Sequence, residues 1–209
     1  MAWLIPFAAL LTLATGAVIL WTNQRRLINR VFSLASLNAA LWLFFVYLAA
    51  KAGDRHVSDN PIPWLRAASA AGAFFPWILW LLKSAILIAD GSPLQAFRRS
   101  WPWLAIAMIL AALCFTDYFI SAYSTPDNPK RGIGYFVYSS ASFALYLFFI
   151  IQTYGQMRRQ TGIRKIETQF LTFNAGIACL LVIVVNGVGN YLDIRAITRL
   201  SPIIILGFY

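Results

Sequence analysis

Two formal charges, Lys83 and Asp117, fall inside long apolar runs of this sequence. Charge within a hydrocarbon layer is costly and usually serves an ion path, a proton relay or a ligand contact. Lys83 stands about six residues, roughly 9 Å, from the end of its run, close enough for its stem to snorkel to the interface. Asp117 has too short a stem to snorkel and stands near the opposite end of its own run. The two charges therefore lie at opposite depths and are not expected to pair. Near the depth of Asp117 the sequence gathers Tyr118, Tyr123, Tyr135, Tyr138, Asn186, Asn190 and Tyr191. Asn186 and Asn190 are four apart and share one helical face. An acid, phenols and amides together have the chemistry of a shallow pocket for a small polar or lipid-like molecule. The expected ligand-binding set is Asp117, Tyr118, Tyr135, Tyr138, Asn186 and Asn190. The same residues equally suit an aromatic belt with interhelical hydrogen bonds.

Other chemistry has little to work with. The sequence holds no HExxH or GxSxG motif, no intramembrane aspartate pair and no phosphate loop, so no catalytic residues are assigned. Ser139, Ser140 and Ser142 read as small packing residues rather than nucleophiles. His56 is the one histidine and falls in a loop, while Cys114 and Cys179 fall in apolar runs as small buried hydrophobes. No metal site and no cofactor are expected.

The elements that must position these groups are membrane spans. The chain has 209 residues, 60% hydrophobic and 11% charged, against about 25% charged in an ordinary soluble domain. The expected fold is all-α, a polytopic membrane bundle with six complete spans and the start of a seventh. The spans read as about 2–21, 31–50, 67–89, 103–123, 133–154 and 170–192, with a seventh run at 203–209. Seven residues are too few to cross a bilayer, so that last run reads as a helix cut short. The first run has no positive region before it and no convincing cleavage site, and reads as a retained span.

The net charge of +10 points to membrane orientation rather than to nucleic acid, because the basic residues sit mostly between apolar runs. One set of connectors holds Arg25, Arg26, Arg30, Arg98, Arg99, Arg158, Arg159, Arg164 and Lys165. The other holds Lys51, Arg55, Arg66, Lys130, Arg131, Arg195 and Arg199. The denser set belongs inside, which places the N-terminus outside. Partners expected on this ground are the lipid bilayer and its anionic headgroups.

The residues also carry a family resemblance. NRVFSLASLNAALWLFFVYLA, from Asn29 to Ala49, resembles the second helix of the seven-helix sensor regions at the N-terminus of bacterial histidine kinases. An Asn-Arg pair there leads into a Ser/Leu-rich helix with a central Trp. WLRAASAAGAFFP, from Trp64 to Pro76, resembles the start of that family's third helix. The stretch from Gly132 through the basic connector to NGVGNYL resembles its fifth and sixth helices. The resemblance implies a sensory input domain in a bacterial cytoplasmic membrane. It implies a homodimer that relays a small-molecule or lipid-like signal to a cytoplasmic output domain in cis or to a partner kinase. His56 lies in an outer loop, so kinase activity would reside elsewhere. The alternative from another class is a small transporter or channel, with Lys83, Asp117, Gln152 and NGVGN lining a path; an enzyme acting on lipid is a third.

Overall fold

The computed structural model describes residues 4–54, 60–88, 92–122, 124 and 130–183. Seven helices follow in order: α1 (Leu4–Thr22), α2 (Leu27–Asp54), α3 (Ile62–Gly72), α4 (Phe75–Leu87), α5 (Pro93–Cys114), α6 (Ile133–Met157) and α7 (Ile163–Ile183). No β-strand occurs among the described residues; Ile120 and Arg131 form an isolated bridge. Five stretches are long and apolar enough to cross a membrane: 4–22, 27–53, 62–87, 93–114 and 133–157. The protein is a membrane-type helical bundle, and α3 with α4 makes up its third span. The sixth expected span begins earlier than hydropathy suggests, at Ile163, and its far end lies outside the described residues, as does the 203–209 run.

Span three is the axis. Buried residues make up 61% of its most apolar window, against 33% or less for every other span, so the bundle is built around it. Ile78, Trp80, Leu81, Leu82, Ala85 and Ile86 of α4 pack with Val31 of α2, Ala96 of α5, Phe149 of α6, and Leu171 and Ala175 of α7. A helix that is apolar all round belongs in such a central place.

Small residues make the peripheral contacts close. Ala8, Thr12 and Gly16, four apart, form one buried stripe on α1, packed on α2 with Ala8 beside Ala40 and Leu43 and Gly16 against Ser36. Lipid tails are as apolar as leucine, so helices in a bilayer associate by close backbone approach rather than by hydrophobic exclusion. A Cβ added at Gly16 would stand 2.5 Å from the Ser36 Cβ. Gly16→Leu is expected to pry α1 from α2 at a cost of about 1–3 kcal/mol. The loss would show as an earlier thermal unfolding midpoint in detergent, and an unchanged midpoint would contradict this packing. At the α1–α2 turn, Asn29 Nδ2 donates to the carbonyls of Ile19 (3.0 Å) and Asn23 (3.2 Å), and Arg30 Nε donates to that of Gln24 (2.6 Å). The Asn-Arg pair therefore satisfies carbonyls left open where α1 ends.

Two boundaries differ from the sequence reading. Span four starts at Pro93 rather than 103, so Arg98 and Arg99 lie in the first two turns of α5 and not in a loop. Pro102 stands inside this helix, which runs through it. Proline costs one backbone hydrogen bond, which a helix at a membrane can recover from neighbouring groups. Similarly, Arg164 and Lys165 belong to the first turn of α7 rather than to the connector.

The other end of α5 is Cys114, nine residues short of the expected limit. There the chain turns, with Phe115 N donating to Ala112 O and Thr116 Oγ1 to Leu113 O. It then folds back, so that Gly132 N donates to Phe119 O (3.0 Å) and Gly134 N to Tyr118 O (2.9 Å). Asp117 therefore stands beyond the helix end, with its side chain 74% exposed. Hydropathy did not see this because CFTDYFI stays apolar on average through the turn.

Candidate functional site

Lys83 is the charge that the fold buries. It lies on α4, four residues before Leu87, and is only 4% exposed, so it does not snorkel. Its Nζ donates to Gln152 Oε1 of α6 at 2.7 Å. The ammonium lies 4.4 Å from the centre of the Trp80 ring and 5.6 Å from that of Phe149. Trp80 in turn stacks on Trp103 of α5 at 4.3 Å and 10°, and meets Phe149 edge-on at 5.4 Å. Phe148 packs against both tryptophans, 6.0 Å from Trp80 and 5.6 Å from Trp103.

The energetics of this cage are closely balanced. A desolvated cation over an aromatic face gains about 2 kcal/mol, and a hydrogen bond to a charged group about 1.5–3 kcal/mol. Burying an ammonium costs several kcal/mol. Among the described residues no carboxylate lies within ion-pair distance of Lys83. Gln152 and the rings hold the charge without neutralising it. Beside them the indole Nε1 of Trp80, itself buried, has no hydrogen-bond partner among the described residues.

A second feature lies just above this cage. The third span breaks between Gly72 and Phe75, where Pro76 occupies the first turn of α4. Proline has no N–H for the carbonyl four residues earlier and its ring crowds that carbonyl, which favours a break at this point. The last turn of α3 is completed by short bonds from Ala73 N to Ala70 O and from Phe74 N to Ala71 O. Two neighbouring helices then clamp its carbonyls. Asn38 Nδ2 of α2 donates to Ala71 O (3.1 Å), and the Tyr138 hydroxyl of α6 donates to Ser69 O (2.9 Å). Irregular backbone at membrane depth persists where protein groups satisfy it in this way. Each bond is worth about 1 kcal/mol net. Tyr138→Phe and Asn38→Leu are each expected to cost about that much, with additive losses in the double variant if the two clamps act independently. Unfolding midpoints of the four proteins check this.

The expected ligand set separates in the structure. Asp117 and Tyr118 lie beyond α5, while Tyr135 and Tyr138 lie on α6 at the same end of the bundle. Tyr118 is 71% exposed. Tyr138 is committed to the clamp, and Tyr135 lies under the Arg131 guanidinium at 4.8 Å. Between them sits Phe119, fully buried, 5.5 Å from Tyr135 and 5.4 Å from Tyr138. Phe119, Ile120, Ile62, Ala70 and Cys114 fill this end with an apolar plug where the sequence suggested a shallow pocket. Asn186, Asn190, Tyr123 and Tyr191 lie outside the described residues.

What the plug end does hold is a latch. Arg66 of α3 reaches across to the end of α5, donating from Nη2 to Asp117 Oδ1 (2.6 Å) and from Nη1 to Phe115 O (3.2 Å). Nη2 also donates to Ile120 O. A cation is well placed on open carbonyls at a helix C-terminus. At the opposite end Arg26 of the α1–α2 turn pairs with Glu167 of α7 at 2.5 Å. Arg158 Nη2 donates to the Tyr154 hydroxyl at 3.2 Å. Arg25, Arg26, Arg158 and Arg159 thus share one end of the bundle and Arg66 and Arg131 the other, matching the alternation of spans.

Sequence reasoning passed over Asn38, Trp80 and Trp103. Asn38 carried a usable signal, a lone amide within an apolar helix, which must find a partner on another helix. The tryptophans carried none, since aromatic residues are common throughout the chain. No protein-family model, curated protein or solved structure matches this chain.

Proposed function

We propose that this chain is a membrane-embedded sensory input domain. In this reading it lies in a bacterial cytoplasmic membrane with its N-terminus outside, and a signal from outside or from the bilayer passes to a cytoplasmic output, a histidine kinase or similar, within a homodimer. The observation that carries the reading is the interrupted third span. One half, α3, is tied by Arg66 to the turn after α5. The other half, α4, packs on α2, α5, α6 and α7. A clamped break joins the halves, so tilting α3 need not unfold α4. Such a joint is what a two-state relay needs, because a signal acts only through different affinity for two arrangements. The resemblance of Asn29–Ala49 to sensor helices points the same way.

One observation favours a small transporter as the second reading. A buried lysine paired with an amide lies beside a broken helix, and discontinuous helices frame many transport sites. Two measurements separate these. In proteoliposomes the sensor reading expects no proton or cation flux above that of empty vesicles. In the native host, Tyr138→Phe at unchanged membrane abundance is expected to alter the transcript profile reproducibly. Flux that Lys83→Met abolishes, with an unaltered transcript profile, would overturn the sensor reading.

A further inference from the structure

We propose that Lys83 and Trp80 form a binding site, occupied in the empty state by the Gln152 amide, for the anionic headgroup, a carboxylate or a phosphate, of an amphiphile from the surrounding leaflet. This deepens the sensory reading by naming a ligand class. Three observations carry it. First, Lys83 is a buried cation whose partners are all neutral. Second, Trp80 is 6% exposed, lies directly under that ammonium, and its Nε1–H has no acceptor among the described residues. An oxyanion offers what both donors lack, one oxygen for the ammonium and another for the indole N–H. Third, the cage has an open side. Gln152 is exposed on α6 and Phe148 is 48% exposed, so the outer wall of the cage lies at the bundle surface.

The depth also fits an amphiphile. Lys83 lies four residues, about 6 Å, from the end of α4, and Gln152 lies five residues, about 7.5 Å, from the end of α6. A headgroup drawn in at that level leaves its chain in the hydrocarbon, against Phe148 and Trp103. The ligand oxygen takes the place of Gln152 Oε1 on Lys83, so the amide is a competitor that keeps the empty site closed. No bond is made or broken beyond hydrogen bonds and an ion pair.

The test uses the full chain in nanodiscs of phosphatidylcholine and reads tryptophan emission. The probes are dibromostearate, a dibrominated phosphatidate and the neutral dibromostearyl alcohol. Trp80→Phe, which keeps an aromatic ring and removes the N–H, isolates the Trp80 signal. The proposal expects saturable quenching by at least one acidic probe, with half-saturation about tenfold below that of the alcohol. Saturation by the carboxylate alone identifies a free acid, and by the phosphate alone a phospholipid. Lys83→Met is expected to abolish the tenfold margin and Lys83→Arg to retain it. Gln152→Leu, which removes the competing amide, is expected to tighten the acidic probe about threefold. Equal half-saturation for all three probes overturns the proposal. So does a margin that survives in Lys83→Met with wild-type helicity. If Lys83→Met does not fold, an acidic margin unmoved in Gln152→Leu and lost in Lys83→Arg overturns it. Failure here leaves the relay reading standing, since that rests on the break and is tested without any ligand.

Discussion

Replacing Arg66 with methionine is expected to lower stability by about 3 kcal/mol, one of the two largest effects anticipated from a single substitution in this chain. The Arg66 side chain is only 15% exposed and serves two backbone carbonyls, those of Phe115 and Ile120, besides Asp117. Losing a hydrogen bond from a charged donor costs about 1.5–3 kcal/mol, and more where the acceptor is left dry. The carboxylate contributes less, because Asp117 is 74% exposed and water screens it. Asp117→Asn should therefore cost below about 1 kcal/mol. Arg66→Lys should recover only part of the loss, because an ammonium cannot span several acceptors as the planar guanidinium does. Chemical or thermal unfolding in detergent ranks the three variants. Equal losses for Arg66→Met and Asp117→Asn would mean that the ion pair, not the carbonyl capping, matters.

Gly132→Val is expected to be as damaging, for a steric reason. A Cβ at Gly132 would stand 2.0 Å from the carbonyl oxygen of Tyr118, a backbone atom that cannot swing aside. The pairing of Tyr118 and Phe119 with Gly132 and Gly134 must open to admit it, breaking the bonds from Gly132 N to Phe119 O and from Gly134 N to Tyr118 O. Phe119, which fills the plug between Tyr135 and Tyr138, would then lose its seat. Overpacking and loss of a buried aromatic together cost about 3 kcal/mol or more. Limited proteolysis should cut this loop in Gly132→Val under conditions where the wild type resists. Equal resistance would show that the loop accommodates a side chain.

The helical class and the five spans of the described chain were legible in hydropathy, because an unbroken apolar run of about 20 residues has few other uses. Their ends were less so. The end of α5 at Cys114 depends on a turn in which Phe115, Phe119 and Ile120 carry the apolar run past the helix end. The running of α5 through Pro102 depends on tertiary support that no local rule contains. Lys83 was visible as an intramembrane charge, but its burial was not, since snorkelling and inward folding share one sequence. Of the expected ligand set, Asp117, Tyr118, Tyr135 and Tyr138 lie at one end of the bundle, with Phe119 packed between the last two. Depth places residues at one end of a bundle, whereas rotation about each helix decides which of them meet. Tyr138 turned inward to Ser69 while Tyr118 turned out. Arg66, counted among the connector charges, became the latch because α5 ends where its carbonyls are within reach.

The central claim is that the latch and clamp at one end of span three bias the arrangement of helices at the other. Pulsed electron resonance distances test it most directly, with spin labels at the exposed positions Gln24 in the α1–α2 turn and Gln169 on α7. These flank the Arg26–Glu167 pair, far from Arg66 and Tyr138. In nanodiscs, Arg66→Lys and Tyr138→Phe are each predicted to shift the Gln24–Gln169 distances by about 1–2 Å toward a second shared population. Distributions that superimpose on wild type in both variants, in proteins of equal helicity, would contradict the relay and leave span three a rigid post.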